Sequence, residues 1–273
     1  MWPMVAGASN SRRIVTLEVG ILRGAVRKSH SKSPAALSRV DSSRKDSAVN
    51  SYSAMATPAT ARTVINIDAW SDVACPWCYV GKTRLDLALK SIQAKAQTPP
   101  IVVKWHPYMI DKKTKAEGEE YLAYNTRRWG SDGWTHDLRR SGAKNGLKFA
   151  NWRWWPNTLN AHRLILFADT YGKGEDAKQL LLLKTYEEGA NVSDFDVLCS
   201  VANELGLPGA DEYLKSGGGT EEVLAQDSEA KSRLGIRSVP HFKINNIYTL
   251  SGAQDVATFV AAISKAISHL NEN

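Results

Sequence analysis

The stretch VACPWCYVG (residues 73–81) holds two of the chain's three cysteines, Cys75 and Cys78, separated by a proline and a tryptophan. The preceding segment TVINIDAW (residues 63–70) alternates apolar and polar positions, which predicts a strand. From Pro76 to about residue 96 apolar residues recur at helical spacing, which predicts a helix. The two cysteines therefore lie at a predicted strand-to-helix junction.

The rest of the chain extends this pattern. The segment IVVKWH (residues 101–106) predicts a second strand, so that strand, helix and strand form a βαβ unit. More than a hundred residues of helical patterning follow it. A helix from Thr220, a strand ending at Ile244, a two-residue turn at Asn245 and Asn246, a return strand and a terminal helix complete the chain. The sequence therefore predicts an α/β fold with a β-α-β and an α-β-β-α half, separated by an all-helical insertion.

The chain has 273 residues, of which 43% are hydrophobic, enough for one sizeable core and an inserted subdomain. We place the first part of the core at residues 61–107, the insertion at residues 108–218 and the second part of the core at residues 219–273. No apolar run approaches the roughly 18 residues that a membrane helix needs, which predicts a soluble protein without a membrane partner.

The net charge of +7 is concentrated at the N-terminus. Residues 1–60 contain nine Arg and Lys, three acidic residues and eleven serines, a composition typical of organelle transit peptides. This predicts a chloroplast or mitochondrial protein, and a disordered or basic interaction arm is the alternative. A start at Met55 would give a cytoplasmic form. Because the remainder of the chain is nearly neutral, we expect no nucleic-acid partner.

The position of the cysteines predicts a reactive thiol. If Cys75 caps the helix that begins at Pro76, its sulfur faces unpaired N–H groups and the positive end of the helix dipole, which lower a cysteine pKa. Pro76 suits the first helical turn, where a missing N–H costs nothing. Cys78 lies almost one turn later, within reach of a mixed disulfide on Cys75. The sequence predicts Cys75 as the nucleophile and Cys78 as the resolving thiol.

Two other interpretations of the cysteine pair are weaker. Structural zinc needs four ligands, and the third cysteine, Cys199, lies in a helical pattern that predicts a core position, so we expect no intrachain metal site. A static disulfide at this spacing would close almost no loop and would stabilise little. A redox-active dithiol therefore remains the main prediction.

Several dispersed motifs together resemble one known family. VACPWCYVGKTRLD, KWHPY, AHRLILFA, YEEGANVSD, SEAKSRLGIRSVPHFKINN and SGAQ occur in the order of the DsbA-like thioredoxin family, specifically its FrnE-like branch. The resemblance covers about residues 63–266. It implies a thioredoxin fold with an inserted helical domain, thiol–disulfide oxidoreductase or isomerase activity, and frequent homodimers. Hydroxychromene-carboxylate isomerases and kappa-class glutathione transferases are relatives, in which a serine usually replaces the first cysteine and binds glutathione.

The resemblance also assigns roles to residues. Cys75 and Cys78 match the family's active dithiol and Pro240 matches its cis-proline, beside which the backbone of Val239 would pair with an extended substrate. His241, a further candidate for substrate binding, departs from the bulky apolar residue that many relatives carry after the proline. Trp77 replaces the charged histidine of the CPHC motif in strongly oxidising relatives, so we expect a potential less oxidising than about −120 mV.

Weaker predictions concern polar and aromatic residues elsewhere. Asn160 and Gln254 are candidates for binding glutathione or a peptide backbone. His106 and His162 either line the cleft or are hydrogen-bonded structural histidines, and the second is the favoured interpretation. The insertion is also rich in tryptophan, which favours domain packing over an apolar substrate surface; these residues are Trp129, Trp134, Trp152, Trp154 and Trp155.

The sequence therefore predicts a thiol–disulfide oxidoreductase or isomerase that acts on protein or small-molecule disulfides. No bound cofactor is expected, and glutathione is a candidate co-substrate. Two alternatives remain open. One is a glutathione-dependent isomerase or transferase in which Cys75 activates glutathione without cycling. The other is a non-catalytic metal-binding or scaffold protein that shares a metal between the cysteine pairs of two subunits.

Overall fold

The structure is a computed structural model, which describes residues 64–95 and 97–271. The predicted transit peptide and the start at Met55 lie outside the described residues. In chain order the elements are β1 (Ile65–Ser71), α1 (Pro76–Gln93), β2 (Ile101–Pro107), β3 (Glu119–Glu120), α2 (Tyr121–Trp129), α3 (Thr135–Ala143), β4 (Trp154–Trp155), α4 (Leu159–Asp169), α5 (Gly174–Tyr186), α6 (Phe195–Glu204), α7 (Ala210–Lys215), α8 (Thr220–Ser232), β5 (His241–Ile244), β6 (Tyr248–Ser251) and α9 (Val256–Asn271).

Four of the strands form one sheet in the order β2-β1-β5-β6. β1 runs parallel to β2 and antiparallel to β5, and β5 and β6 form an antiparallel hairpin. The hairpin turn has Asn245 and Asn246 at φ values of 48° and 58°, a conformation that asparagine tolerates better than most residues. This sheet order places β1, and with it the cysteine-containing loop after β1, at the centre of the sheet.

The alternation of apolar and polar residues in β1 explains the core on one face of the sheet. Its apolar positions Ile65, Ile67 and Ala69 are buried, while the positions between them are more exposed. Helices α1 and α9 cover this face of the sheet, and the aromatic rings of Phe242 and Phe259 meet edge to face with their centroids 4.9 Å apart. Burial of this apolar surface is the main stabilising contribution.

The insertion between β2 and α8 contains the helices α2 to α7 and a two-stranded ribbon in which β3 pairs antiparallel with β4. The prediction of an all-helical insertion is therefore wrong in this detail. Each of these strands has two residues, too few to produce a detectable alternation in the sequence. The larger prediction, an α/β fold with a helical insertion, is confirmed.

The insertion has its own core, which continues to the cysteine loop. Trp152 and Trp155 are buried in it, whereas Trp129 is exposed. Val73 and Tyr79, which flank the two cysteines, belong to the same cluster. The helical insertion therefore packs directly against the loop and helix that carry the dithiol.

The strand predicted after Val239 and Pro240 begins at His241, directly after the proline. One local prediction differs from the structure. Cys199 is partly exposed instead of lying in the core. No helix in the described part of the chain is long and apolar enough to span a membrane.

Candidate active site

Cys75 occupies the N-cap position of α1, with extended backbone angles of φ −90° and ψ 109°. Pro76 is the first residue of the helix, where its missing N–H leaves no hydrogen bond unmade. The N–H of Cys75 donates to the carbonyl of Asp72 at 3.3 Å, and the N–H of Cys78 donates to the carbonyl of Cys75 at 2.9 Å. These bonds hold the Cys75 side chain at the helix start, as the sequence predicted.

The two thiols differ in their access to solvent. Cys75 is 7% exposed, whereas Cys78 is fully buried at 0%. The Cys78 sulfur accepts a hydrogen bond from the N–H of Asp72 at 3.4 Å. Both cysteines are free thiols in this structure. Both residues are buried, and of the two only Cys75 retains some exposure.

The loop before β5 lies against the Cys75 thiol. The Cys75 thiol donates to the carbonyl oxygen of Val239 at 3.7 Å, and the peptide bond between Val239 and Pro240 is cis. Helix α1 approaches this loop closely at Gly81, because a Cβ atom there would lie 2.7 Å from Cγ of Pro240. Residues 164 positions apart in the sequence therefore form one face around the Cys75 sulfur.

The two thiols affect each other's ionisation. Interaction with Cys78 and burial both raise the pKa of Cys75 well above its ordinary value. Burial alone would raise the pKa of Cys78 as well, but its interaction with Cys75, the charge of Lys178 and the hydrogen bond from the N–H of Asp72 lower it. The two thiols therefore titrate as a coupled pair, in which the surroundings favour ionisation of Cys78 over ionisation of Cys75.

This distribution of charge differs from the expectation that the helix start lowers the pKa of Cys75. The sequence argument treated Cys75 as a single thiol in the field of a helix. In the structure, the interaction with the second sulfur and the burial of the site outweigh the effect of the helix start on the pKa of Cys75.

A buried carboxylate lies behind the dithiol. Asp72 accepts hydrogen bonds from the N–H of Ile110 at 2.7 Å and from the N–H of Ala74 at 3.3 Å. His162 of α4 lies 3.3 Å from the same carboxylate, and its pKa is lowered because burial disfavours the imidazolium. Burial alone would raise the pKa of Asp72, but the bond with His162 helps to lower it. His162 is therefore a hydrogen-bonded buried histidine beside the cysteine loop.

Sequence reasoning missed Asp72 and Lys178. Asp72 stands three residues before Cys75, but a single acidic residue between a strand and a helix has no distinctive pattern. Lys178 lies within α5, more than a hundred residues further along the chain, and a lysine in a helix normally indicates a solvated position. Only the tertiary packing buries this lysine, whose charge lowers the pKa of Cys78.

The remaining predicted residues have partners of their own. His241 is the first residue of β5, directly after Pro240, and its Nδ1 atom lies 3.2 Å from the Ser251 hydroxyl. Asn160 accepts a hydrogen bond from the Arg163 guanidinium at 2.6 Å. Gln254 donates to the carbonyl of Ser251 at 2.6 Å. The polar groups of Asn160 and Gln254 are thus used at least partly within the protein.

The structure also shows the surroundings of His106 and Trp77. His106 lies 2.7 Å from Asp68 and stacks on Trp70 with the ring centroids 4.8 Å apart. Trp77 is partly buried and packs against the core of the insertion. Among the residues that the structure describes, no group of three or more His, Cys, Asp or Glu side chains is arranged to hold a metal ion.

Comparisons with known proteins agree with this geometry. Residues 66–264 match the DSBA-like thioredoxin domain, so the chain belongs to that family and the predicted resemblance is confirmed. Membership suggests thiol oxidoreductase or isomerase activity in general terms. The two cysteines and the loop at Val239 lie within the matched region.

Individual relatives and solved structures have low sequence identity to this chain. The uncharacterized protein YwbO of Bacillus subtilis (strain 168) is 27% identical over 206 residues, which cover 73% of this chain and 96% of that protein. The crystal structure of the probable DsbA oxidoreductase SCO1869 from Streptomyces coelicolor is 25% identical, has a TM-score of 0.65, and covers 75% of this chain and 90% of that chain. The cytosolic disulfide reductase DsbM from Pseudomonas aeruginosa, solved with GSH, is 17% identical with a TM-score of 0.50, and covers 76% of this chain and 98% of that chain. This last likeness concerns the fold alone.

Proposed function

We propose that this protein is a thiol–disulfide oxidoreductase in which Cys75 is the nucleophile and Cys78 the resolving thiol. The observation that carries the proposal is the placement of two free thiols at one helix start, where Cys75 is the N-cap residue with 7% exposure and Cys78 lies behind it with 0%. Membership in the DsbA-like family supports the general class of reaction.

The first step is attack on a substrate disulfide. Cys75 gives up its thiol proton to Cys78 or to water, which leaves the Cys75 sulfur as the thiolate. The thiolate forms a bond to one sulfur of the substrate as the substrate S–S bond breaks. The departing substrate thiolate takes a proton from water, and a mixed disulfide remains on Cys75.

The second step resolves the mixed disulfide. Cys78 gives its proton to water and its thiolate attacks the Cys75 sulfur, so that the Cys75–Cys78 disulfide forms as the bond to the substrate breaks. The second substrate sulfur departs as a thiolate and takes a proton from water. Two electrons have then passed from the dithiol to the substrate. Two molecules of glutathione, oxidised to one glutathione disulfide, would return the dithiol to its reduced form. The reverse sequence would oxidise a substrate dithiol.

The loop at Val239 is the proposed site for the substrate chain. Its carbonyl accepts a hydrogen bond from the Cys75 thiol at 3.7 Å in this structure. A substrate with an extended backbone, bound along residues 239–241, would have its disulfide next to Cys75. Because such a site would recognise the main chain of the substrate, it favours protein disulfides with little dependence on the side chains of the substrate.

The reduction of insulin disulfides by glutathione tests the proposal. Wild-type protein should accelerate the reaction, and Cys75→Ser should abolish the acceleration. Cys199→Ser is the matched control, since Cys199 is a free, partly buried cysteine on α6, and it should behave as wild type. Wild-type protein that does not exceed uncatalysed exchange would refute the proposal. Conjugation or isomerisation by Cys78→Ser, without insulin reduction by wild type, would favour the glutathione-dependent alternative.

A further inference from the structure

A hydrogen bond from the protein backbone reaches the buried sulfur of the dithiol. Its donor is the N–H of Asp72, whose nitrogen lies 3.4 Å from Sγ of Cys78. The carbonyl of the same residue accepts a hydrogen bond from the N–H of Cys75 at 3.3 Å. The backbone of Asp72 therefore contacts both cysteines, Cys78 through its sulfur and Cys75 through its main chain.

The side chain of Asp72 fixes the backbone that makes these contacts. Its Oδ1 atom accepts a hydrogen bond at 3.3 Å from the N–H of Ala74, two residues further on, which is the pattern of an Asx turn. Its Oδ2 atom accepts a hydrogen bond from the N–H of Ile110 at 2.7 Å, and Nε2 of His162 lies 3.3 Å from Oδ1. The carboxylate thus ties the cysteine loop to the segment after β2 and to helix α4 of the insertion.

Burial holds the carboxylate in this arrangement. Asp72 is 1% exposed and His162 is 3% exposed. A buried carboxylate without hydrogen bonds is strongly unfavourable, so the side chain of Asp72 stays with its partners. Because the side chain and the backbone N–H of Asp72 are attached to the same Cα atom, a fixed side chain also limits the directions in which that N–H can point.

The charge of Asp72 does not explain its place beside the dithiol. After the interaction with Cys78 and burial, the negative charge of Asp72 is a further contribution that raises the pKa of Cys75, so the charge opposes thiolate formation. A hydrogen bond from the backbone to Cys78 has the opposite effect, because it favours the anionic form of the sulfur that accepts it. What Asp72 contributes to the chemistry is therefore the direction of its N–H.

We propose that Asp72 is a positioning residue for the resolving step, in which its carboxylate holds the backbone N–H that bonds to the Cys78 sulfur. The proposal deepens the function proposed above and rests on it. In this step the Cys78 thiolate forms a bond to the Cys75 sulfur as the bond between Cys75 and the substrate breaks, and the departing sulfur takes a proton from water. The N–H of Asp72 stabilises the Cys78 thiolate before that attack and holds its sulfur in one place.

The test separates the two steps of the reaction in time. Reduced protein is mixed with excess glutathione disulfide, samples are quenched with acid, and their intact masses are followed. Asp72→Ala should slow the conversion of the mixed disulfide to the internal disulfide about tenfold, equivalent to about 1.4 kcal/mol, so that the mixed disulfide accumulates. Formation of the mixed disulfide should change by less than about threefold, because the Cys75 sulfur bonds to the carbonyl of Val239 and not to Asp72.

Asp72→Asn is the matched variant. Its side chain keeps one oxygen to accept a backbone N–H, and its amide can donate to an unprotonated ring nitrogen of His162, but it has no carboxylate to take up a proton. It should resolve the mixed disulfide within about threefold of the wild-type rate. Equal slowing by Asn and Ala would indicate a proton acceptor and would overturn the positioning role. An Asp72→Ala protein that resolves at the wild-type rate, or that slows both steps equally, would also overturn it.

If Asp72→Ala does not fold, hydrogen exchange of the Asp72 amide is measured by NMR in reduced wild type and in Cys78→Ala. The amide should exchange at least about tenfold faster without the sulfur, and equal rates would overturn the proposal. These results are separate from the insulin assay. An inactive wild type would refute the oxidoreductase function, whereas an active wild type with unchanged Asp72→Ala kinetics would refute only the role of Asp72.

Discussion

Substitution of Gly81 by alanine tests how closely α1 packs against the loop at Pro240. The new Cβ atom would lie 2.7 Å from Cγ and 3.4 Å from Cβ of Pro240, and 3.5 Å from Cα of Ala253. Carbon atoms in contact prefer about 3.5–4.0 Å, so the first distance is almost an ångström too short. The proline ring is rigid, and helix and loop must therefore move apart.

The expected change in the free energy of unfolding is the difference between two contributions. Overpacking of this kind costs typically about 1–3 kcal/mol, whereas alanine in place of glycine within a helix contributes up to about 1 kcal/mol of stability. We expect a net loss of about 1–2 kcal/mol in the free energy of unfolding. Because the shift also displaces Val239 from Cys75, the rate of disulfide exchange should fall as well.

The assay is urea unfolding followed by tryptophan fluorescence, together with the insulin assay. Gly133→Ala is the control, because the nearest atom to its new Cβ is the Ser131 hydroxyl at 3.6 Å, and it should change stability by less than about 0.5 kcal/mol. A Gly81→Ala protein that is more stable than wild type and equally active would refute the packing of α1 against Pro240.

Three further substitutions test the surroundings of the site. Burial lowers the pKa of His162, so below about pH 6.5 the imidazole binds a proton in the unfolded chain but not in the folded protein. The free energy of unfolding should therefore decrease as the pH falls below about 6.5. His162→Gln should weaken that decrease, as measured by urea unfolding between about pH 7 and pH 5. Tyr186→Phe removes the 2.9 Å hydrogen bond to the carbonyl of Val73 and should cost about 1 kcal/mol in thermal unfolding. Arg163→Met removes hydrogen bonds of 2.6, 3.0 and 2.8 Å to three backbone carbonyls and should destabilise the protein by about 3 kcal/mol, whereas an unchanged melting temperature would contradict the bonded geometry.

Much of the fold could be predicted from local patterns. The alternation of Ile65, Ile67 and Ala69 specifies the central strand because one face of that strand is buried. The proline after Cys75 marks the helix start, and the pair of asparagines marks the hairpin turn. These signals depend on neighbouring residues, which a sequence displays directly.

The charge distribution of the site could not be predicted in the same way. Asp72 and His162 come from two separate elements, and their contact results from the packing of the insertion against the cysteine loop. The expectation of a low pKa at Cys75 considered the helix alone. Interaction with the second sulfur and burial raise the pKa of Cys75 instead, and that burial requires the tertiary structure.

The measurement that tests the oxidoreductase mechanism most directly is the intact mass of the Cys78→Ser protein after incubation with glutathione disulfide. The mechanism predicts one glutathione per chain, attached to Cys75 and removed by a reductant, while Cys75→Ser acquires none at the active site. It also predicts that wild type forms the internal disulfide instead of retaining glutathione. A Cys78→Ser protein that remains unmodified, although it is folded and fully reduced at the start, would contradict the assignment of Cys75 as the nucleophile.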